Sequence, residues 1–337
     1  MRIAVDAMGG DHAPDAQVEG AVRAANELDV TVVLVGDKLT LEEKLEKYEY
    51  DAGKIEILHT TQVIENDESP LAAIKHKKDS SMVVGAQKLS HGEVDAFVSA
   101  GSTGALLGVA TLIVKRIDGI ERPALAPLLP SDTVPWLLVD AGANANCRPN
   151  YLKQFAIMGS IYMKNAMGVE NPRVALVNIG TEEHKGNDLV KAASLLLEKA
   201  PINFIGNIEA RDIPLGAADV VVCDGFVGNV ILKLTEGLAK MFMHGLKDIF
   251  YRNTFTKMCA LGVKKGVGEF RQKTDYTEHG GALLLGTKRP VIKAHGSSNA
   301  KAMFFAISQA KKFVQTGVTE TIMNEIAITQ EGAIDEN

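Results

Sequence analysis

Six short loops in this 337-residue chain combine glycine with small polar or charged residues, and each follows an apolar run that reads as a β-strand. They are Asp6–Pro14, with Gly9, Gly10, Asp11 and His12; Ser99–Ala105, with Gly101, Ser102, Thr103 and Gly104; Asp140–Asn144; Asn178–Asn187; Asp224–Asn229, with Gly225 and Phe226; and Lys293–Ser298. Glycine lets backbone N–H groups approach an anion, and a helix opening behind such a loop adds partial positive charge. Lys185, Lys293 and His295 lie in these loops, where a cation suits phosphate or a developing oxyanion. His12 is a candidate general base or phosphate donor. Each residue also has a plainer reading. Gly101–Gly104 would serve equally as a helix cap, the lysines as surface charges, His12 as a structural residue, and Asp6 and Asp224 as braces of their loops. Cys223 sits in an apolar run and reads as core.

The elements that must position these loops alternate regularly. Candidate strands are Ile3–Val5, Thr31–Val35, Ile55–Leu58, Ala96–Ser99, Ala124–Leu128, Leu137–Asp140, Val174–Asn178, Asn203–Ile205, Val220–Cys223 and Val291–Lys293. Most are continuous apolar runs, as a sheet covered on both faces requires. Helix-length segments between them predict βαβ units and a mainly parallel, doubly wound sheet, with ligands at its carboxyl edge. One α/β domain over residues 1–337 accounts for the length.

Residues 229–275 break this rhythm. Ile231, Leu234, Leu238, Phe242, Leu246 and Ile249 recur at helical spacing. Nine cations (Lys233, Lys240, Lys247, Arg252, Lys257, Lys264, Lys265, Arg271 and Lys273) face four carboxylates (Glu236, Asp248, Glu269 and Asp275) in a chain of net charge −6. The segment reads either as a helix packed on the core or on a dimer mate, or as a projecting helical insertion that meets an acidic protein or an anionic membrane surface.

Several chemistries lack support. The overall acidity disfavours nucleic acid as a partner. Cys147, Cys223 and Cys259 are too scattered for a disulfide framework or a zinc site, and no metal is expected. The first strand is not followed by Gly-x-Gly-x-x-Gly, and there is no phosphate-binding P-loop, no Gly-x-Ser-x-Gly elbow and no His-Glu-x-x-His. No cofactor is expected. The N-terminal residues carry no apolar signal-peptide core, and no apolar run reaches the roughly 18 residues that a membrane span needs.

Eight segments in order resemble one family. They are Met8-Gly9-Gly10-Asp11; Ser99-Ala100-Gly101 with Thr103-Gly104-Ala105; Arg122-Pro123-Ala124-Leu125; Asp140 with Gly142-Ala143-Asn144; Gln154 to Gly159; Asn171 to Leu176; Asp224-Gly225-Phe226 with Gly228-Asn229; and Val291-Ile292-Lys293 with His295-Gly296. Together, over residues 1 to about 315, they are similar to the bacterial acyl-acyl-carrier-protein:phosphate acyltransferases of phospholipid synthesis.

The resemblance implies a three-layer α/β/α sandwich similar to the isocitrate and isopropylmalate dehydrogenase folds and to phosphotransacetylases. It implies transfer of a fatty acyl group from acyl carrier protein to orthophosphate, with the acyl phosphate passed to a membrane glycerol-3-phosphate acyltransferase. It also implies a cytoplasmic homodimer in peripheral contact with the membrane. Orthophosphate would itself be the nucleophile. Lys185, Lys293 and His295 would be the catalytic groups, with His295 or His12 accepting a proton. Gly9, Gly10, Asp11, His12, Gly101, Ser102, Thr103, Gly104, Asn144, Asp224, Gly225, Phe226 and Asn229 would bind substrate. The acyl chain would lie beside Phe226, Leu234 and Leu238, and Lys257, Lys264 and Arg271 would meet the carrier protein. The chain departs from the family in one motif, with Ser102 where Asn usually precedes Thr-Gly-Ala. Three readings compete: a phosphotransacetylase acting on coenzyme A thioesters, a lipid-pathway scaffold without chemistry, and a metal-dependent decarboxylating dehydrogenase.

Overall fold

A computed structural model describes residues 1–131, 134–274 and 280–335, except the side chains of 271–274 and 329–335. The first half runs β1 (Arg2–Asp6), α1 (Asp15–Glu27), β2 (Thr31–Gly36), α2 (Lys38–Leu45), β3 (Ile55–His59), α3 (Pro70–His76), α4 (Ser81–Ser90), β4 (Ala96–Ser99), α5 (Thr103–Val109), β5 (Ala124–Ala126), β6 (Leu128–Leu129) and β7 (Trp136–Val139). The second half runs α6 (Pro149–Met167), β8 (Arg173–Asn178), α7 (Asp188–Leu197), β9 (Asn203–Glu209), β10 (Val220–Val222), α8 (Gly225–Tyr251), α9 (Thr254–Thr274), β11 (Ala282–Leu285), β12 (Val291–Lys293), α10 (Ala300–Gln315) and α11 (Val318–Asp335).

The strands form two sheets rather than one. The larger has the order β3-β2-β1-β4-β12-β11-β5, the smaller β6-β7-β10-β8-β9. Pairing is parallel except where β11 meets β12 and β5, and where β6 meets β7. The apolar run Ala124–Leu128 is not a single strand. It divides at Pro127, which has no N–H to donate, and its halves join different sheets. Strand β11, Ala-Leu-Leu-Leu, was not among the expected strands; it bridges β12 and β5.

One apolar core spans both sheets. Ile3, Val5 and Val98 from the larger sheet, Leu137, Val139 and Val174 from the smaller, and Phe155, Tyr162, Met303 and Phe313 from α6 and α10 belong to one buried cluster. Helices α4 and α5 cover the other face of the larger sheet, Met82 and Leu106 sharing a buried cluster with Phe97 of β4.

The sheets are stapled by a buried carboxylate. Asp140 follows β7 in the smaller sheet, and its Oδ1 accepts the backbone N–H of Leu125, in β5 of the larger sheet, at 2.9 Å. The same oxygen accepts the N–H groups of Gly142 and Ala143 at 3.2 and 3.0 Å, while Oδ2 accepts the N–H and Nδ2 of Asn144 at 2.6 and 2.9 Å. Burial pushes the Asp140 carboxyl above its usual range, and these donors pull the other way.

The first turn of α8 rests on this staple. A Cβ at Gly228 would lie 1.9 Å from the Asp140 carbonyl oxygen, and one at Gly225 would lie 2.8 Å from Asp140 Oδ2, so the helix can seat only with glycine there. Beyond that turn, α8 and α9 form a largely exposed hairpin. Phe242, Ile249, Phe255, Met258 and Leu261 are each more than half exposed. Asp275, counted above with this segment, lies outside the described residues, as do the side chains of Arg271 and Lys273. Among the described residues no helix is long and apolar enough to cross a membrane.

Asp140→Ala strands several N–H donors, each worth about 1–3 kcal/mol where buried, so a loss of about 3 kcal/mol in unfolding free energy is expected in a urea titration. Gly228→Ala overpacks the α8 seat and should cost about 1–3 kcal/mol in the same titration.

Candidate functional site

Strands β1, β4 and β12 end side by side, with Val5 opposite Val98 and Ser99 opposite Lys293. At the end of β1 the buried Asp6 accepts the Ser81 and Ser99 hydroxyls at 2.6 and 2.7 Å, and Ser99 Oγ in turn accepts the Gly101 N–H at 3.1 Å. Burial raises the Asp6 carboxyl and the two serines oppose the shift. Asp6 therefore shapes the Gly101 loop from beneath. Gly10, at φ +108°, takes a backbone conformation that favours glycine, and a Cβ there would come within 2.9 Å of Ala100 Cβ. The Asp11 N–H donates to the Gly296 carbonyl at 2.8 Å. Three of the six loops are thus bound into one wall.

The facing wall comes from the smaller sheet. Asp224 caps α8, its Oδ1 accepting the N–H groups of Phe226 and Val227 at 2.9 and 3.0 Å. The Gly225 N–H donates to the Asn144 carbonyl at 2.8 Å, tying α8 to the Asp140 loop.

Between the walls lies a cleft of about 450 Å³. Its apolar lining comes from Leu125, Pro127, Leu128, Leu129, Phe226 and Leu232. Its charged and titratable lining comes from Lys293 and His295 on the near wall and from Lys233 and Glu236 on α8. Lys293 is 7% exposed, and its Nζ donates to the carbonyls of Ala100, at 3.4 Å, and Ala294. Desolvation lowers its ammonium to about 8, partly opposed by Asp6 and Asp11 and assisted by Lys233. His295 is half-buried; burial and the nearby Lys233 hold its imidazole below the usual range. Its Nδ1 accepts the Ser297 N–H at 3.2 Å and lies 2.8 Å from Ser297 Oγ, while its Nε2 is 3.5 Å from Lys233 Nζ. A second hollow, a groove of about 1110 Å³ between α8 and α9, adjoins the cleft at Glu236.

The structure brings Thr103, Gly225, Phe226, Asn229, Lys293 and His295 together around the cleft. Gly9, Gly10, Asp11 and Gly101 form its supporting wall. Ser102 and Gly104 flank Thr103 at the start of α5, and Ser102 makes no side-chain cap there. His12 is exposed and does not line the cleft. The Asn144 side chain is taken up by Asp140 and the Pro123 carbonyl. Lys185 is not brought to the cleft; its Nζ lies 3.9 Å from Glu182 Oε1, because its loop follows β8, on the far side of β10 from β7. Leu234 and Leu238 point to solvent, and Leu232 lines the cleft instead. Lys233 and Glu236 were read only as helix charges. Their helical spacing with Lys240 and Lys247, on a face away from the apolar stripe, is the signal that marks them.

Residues 1–321 match the model of a family described as fatty acid synthesis protein. Proteins named phosphate acyltransferase from Alkaliphilus oremlandii and Thermoanaerobacter pseudethanolicus are 52% and 51% identical to this chain, covering 97% of it and 98% and 97% of their own lengths. Among solved structures, a phosphotransacetylase from Streptococcus pyogenes shares the fold, with a TM-score of 0.62 over 95% of this chain and 94% of its own at 16% identity. The chain belongs to the fatty acid synthesis protein family, alongside relatives that carry the name phosphate acyltransferase.

Proposed function

We propose that this acyltransferase moves a fatty acyl group from the thioester of acyl carrier protein to orthophosphate. The cleft carries this reading, because apolar side chains and cations line the same space. Leu125, Leu128, Leu129, Phe226 and Leu232 suit an acyl chain, and Lys293 suits phosphate. A buried ammonium whose hydrogen-bond partners are two carbonyls retains strong attraction for an anion.

Phosphate held at Lys293 lies beside the thioester carbonyl, and catalysis is then largely proximity and charge stabilisation. A phosphate oxygen attacks the carbonyl carbon, the C–O bond forms and the C–S bond breaks. The departing sulfur takes the electron pair and then the proton that HPO4²⁻ carried. The balance is acyl phosphate plus free thiol, with no acylated side chain. The backbone N–H to Nδ1 makes that nitrogen an acceptor, so a neutral His295 carries its proton on Nε2 and donates towards the oxyanion. His295 is thus assigned as a donor rather than a base.

The α8–α9 hairpin offers Lys257 and Lys264 to the acidic carrier protein, and its exposed apolar residues to a homodimer mate or a membrane surface. A membrane glycerol-3-phosphate acyltransferase would take the product. The hairpin is read as an insertion in a single α/β domain, and the protein as cytoplasmic with peripheral membrane contact.

Purified protein should release free carrier protein from palmitoyl-carrier protein only when phosphate is present, with hydroxamate forming when hydroxylamine is added. Lys293→Met should lower kcat/KM for phosphate by about 10²–10³-fold. The ammonium is charged below about 8 and loses its proton as pH rises through that value. The wild-type kcat/KM for phosphate should therefore be highest below that value and fall with a limiting slope of about one decade per pH unit above it. A flat profile between pH 7 and 10 would remove Lys293 from phosphate binding.

A further inference from the structure

We propose that Lys233 is a catalytic residue of the cleft, a second cation that binds orthophosphate opposite Lys293, and that Glu236 is the positioning residue that aims it. The proposal rests on the phosphate-acylation reading above.

The first observation is the burial of Glu236. Helix α8 has 27 residues, and those buried are Gly225, Gly228 and Glu236. The glycines are explained by the Asp140 seat. A glutamate 7% exposed on a helix whose apolar Val227, Ile231 and Leu232 are only partly buried is not explained by packing, because burying a carboxylate is costly and an apolar residue would serve stability better. An ordinary i,i+3 surface pair, worth well under about 1 kcal/mol, does not need a buried acid.

The second observation is what Glu236 holds. Its Oε2 accepts Lys233 Nζ at 2.9 Å, and that nitrogen then lies 3.5 Å from His295 Nε2. With Nδ1 accepting the Ser297 N–H, the neutral ring presents an N–H at Nε2. Glu236 therefore sets the Lys233 ammonium beside His295 at the cleft, where it can meet an oxygen of the phosphate that attacks the same thioester. Lys293 enters the same cleft from β12. Lys233 adds to the lowering of both Lys293 and His295, in agreement with its lying close to both.

Bound HPO4²⁻ would lie between the two ammonium groups. Its attack forms the C–O bond and expels the thiolate, which takes the phosphate proton. Lys233 offsets negative charge as the dianion approaches the carbonyl. Glu236 holds the end of the half-exposed, flexible lysine stem at the cleft.

The test is steady-state kinetics of Lys233→Met, Lys233→Arg and Glu236→Gln, each checked for an unchanged far-ultraviolet spectrum and melting curve. Orthophosphate binding to each protein would be followed by ³¹P line broadening. Lys233→Met should raise the KM for phosphate at least tenfold and lower kcat, with the KM for acyl carrier protein within about twofold. Lys233→Arg should recover part of the loss, and Glu236→Gln should raise the phosphate KM several-fold. Phosphate affinity by ³¹P should fall in parallel. An unchanged phosphate KM and affinity in Lys233→Met would overturn the assignment. So would a rise confined to the carrier-protein KM, which would make Lys233 a docking residue. If the wild type bound phosphate through Lys233 but transferred no acyl group to it, the functional reading would fall and the Lys233 site would stand. If the wild type bound no phosphate, both would fall.

Discussion

A single buried carboxylate determines how the two halves of this molecule meet. Asp140 ends a strand of the smaller sheet and takes its first hydrogen bond from β5 of the larger. A carboxylate so placed must find donors or be destabilising, and it finds them in Leu125, its own following loop and Asn144. Everything on the cleft's far wall inherits its position from that solution. The Asn144 carbonyl holds the Gly225 N–H, Asp224 caps the helix, and the absence of side chains at 225 and 228 lets α8 sit directly on the Asp140 loop. Lys233 and Glu236 come next along that helix, so their place in the cleft follows from a contact several residues away.

The near wall solves the same problem with the opposite charge. Lys293 ends a strand that runs between β4 and β11 and is largely buried where it lines the cleft. Carbonyls satisfy its N–H groups but do not neutralise it, and among the described residues it makes no ion pair. Asp6 lies in the same wall, yet its carboxylate is occupied by Ser81 and Ser99. The cleft thus combines a buried cation with apolar lining, an arrangement suited to bringing an inorganic anion and a hydrocarbon chain to one carbonyl carbon.

Much of the architecture is legible in the residues. Continuous apolar runs such as Val220–Cys223 mark strands covered on both faces, and the polar loops that follow them mark the ligand edge. The grouping of Lys293 and His295 with the Gly101 and Asp224 loops reflects that rule. What the chain does not display locally is which strand ends become neighbours. Lys185 occupies a loop of the expected kind, but β10 stands between its strand and β7, and only the non-local strand order reveals this. Pro127 likewise divides what reads as one strand between two sheets. Lys233 and Glu236 are obscured because a charged pair on an amphipathic helix looks like a solvated face until the burial of the acid is seen.

The central claim is that phosphate itself, and no side chain, receives the acyl group. Mass spectrometry of the enzyme mixed with palmitoyl-carrier protein, first without phosphate and then with it, tests this most directly, since both proteins are weighed in one spectrum. Direct attack predicts an enzyme of unchanged mass throughout and free carrier protein only after phosphate is added. An enzyme that gains the acyl mass before phosphate arrives, or carrier protein freed without it, would contradict the claim.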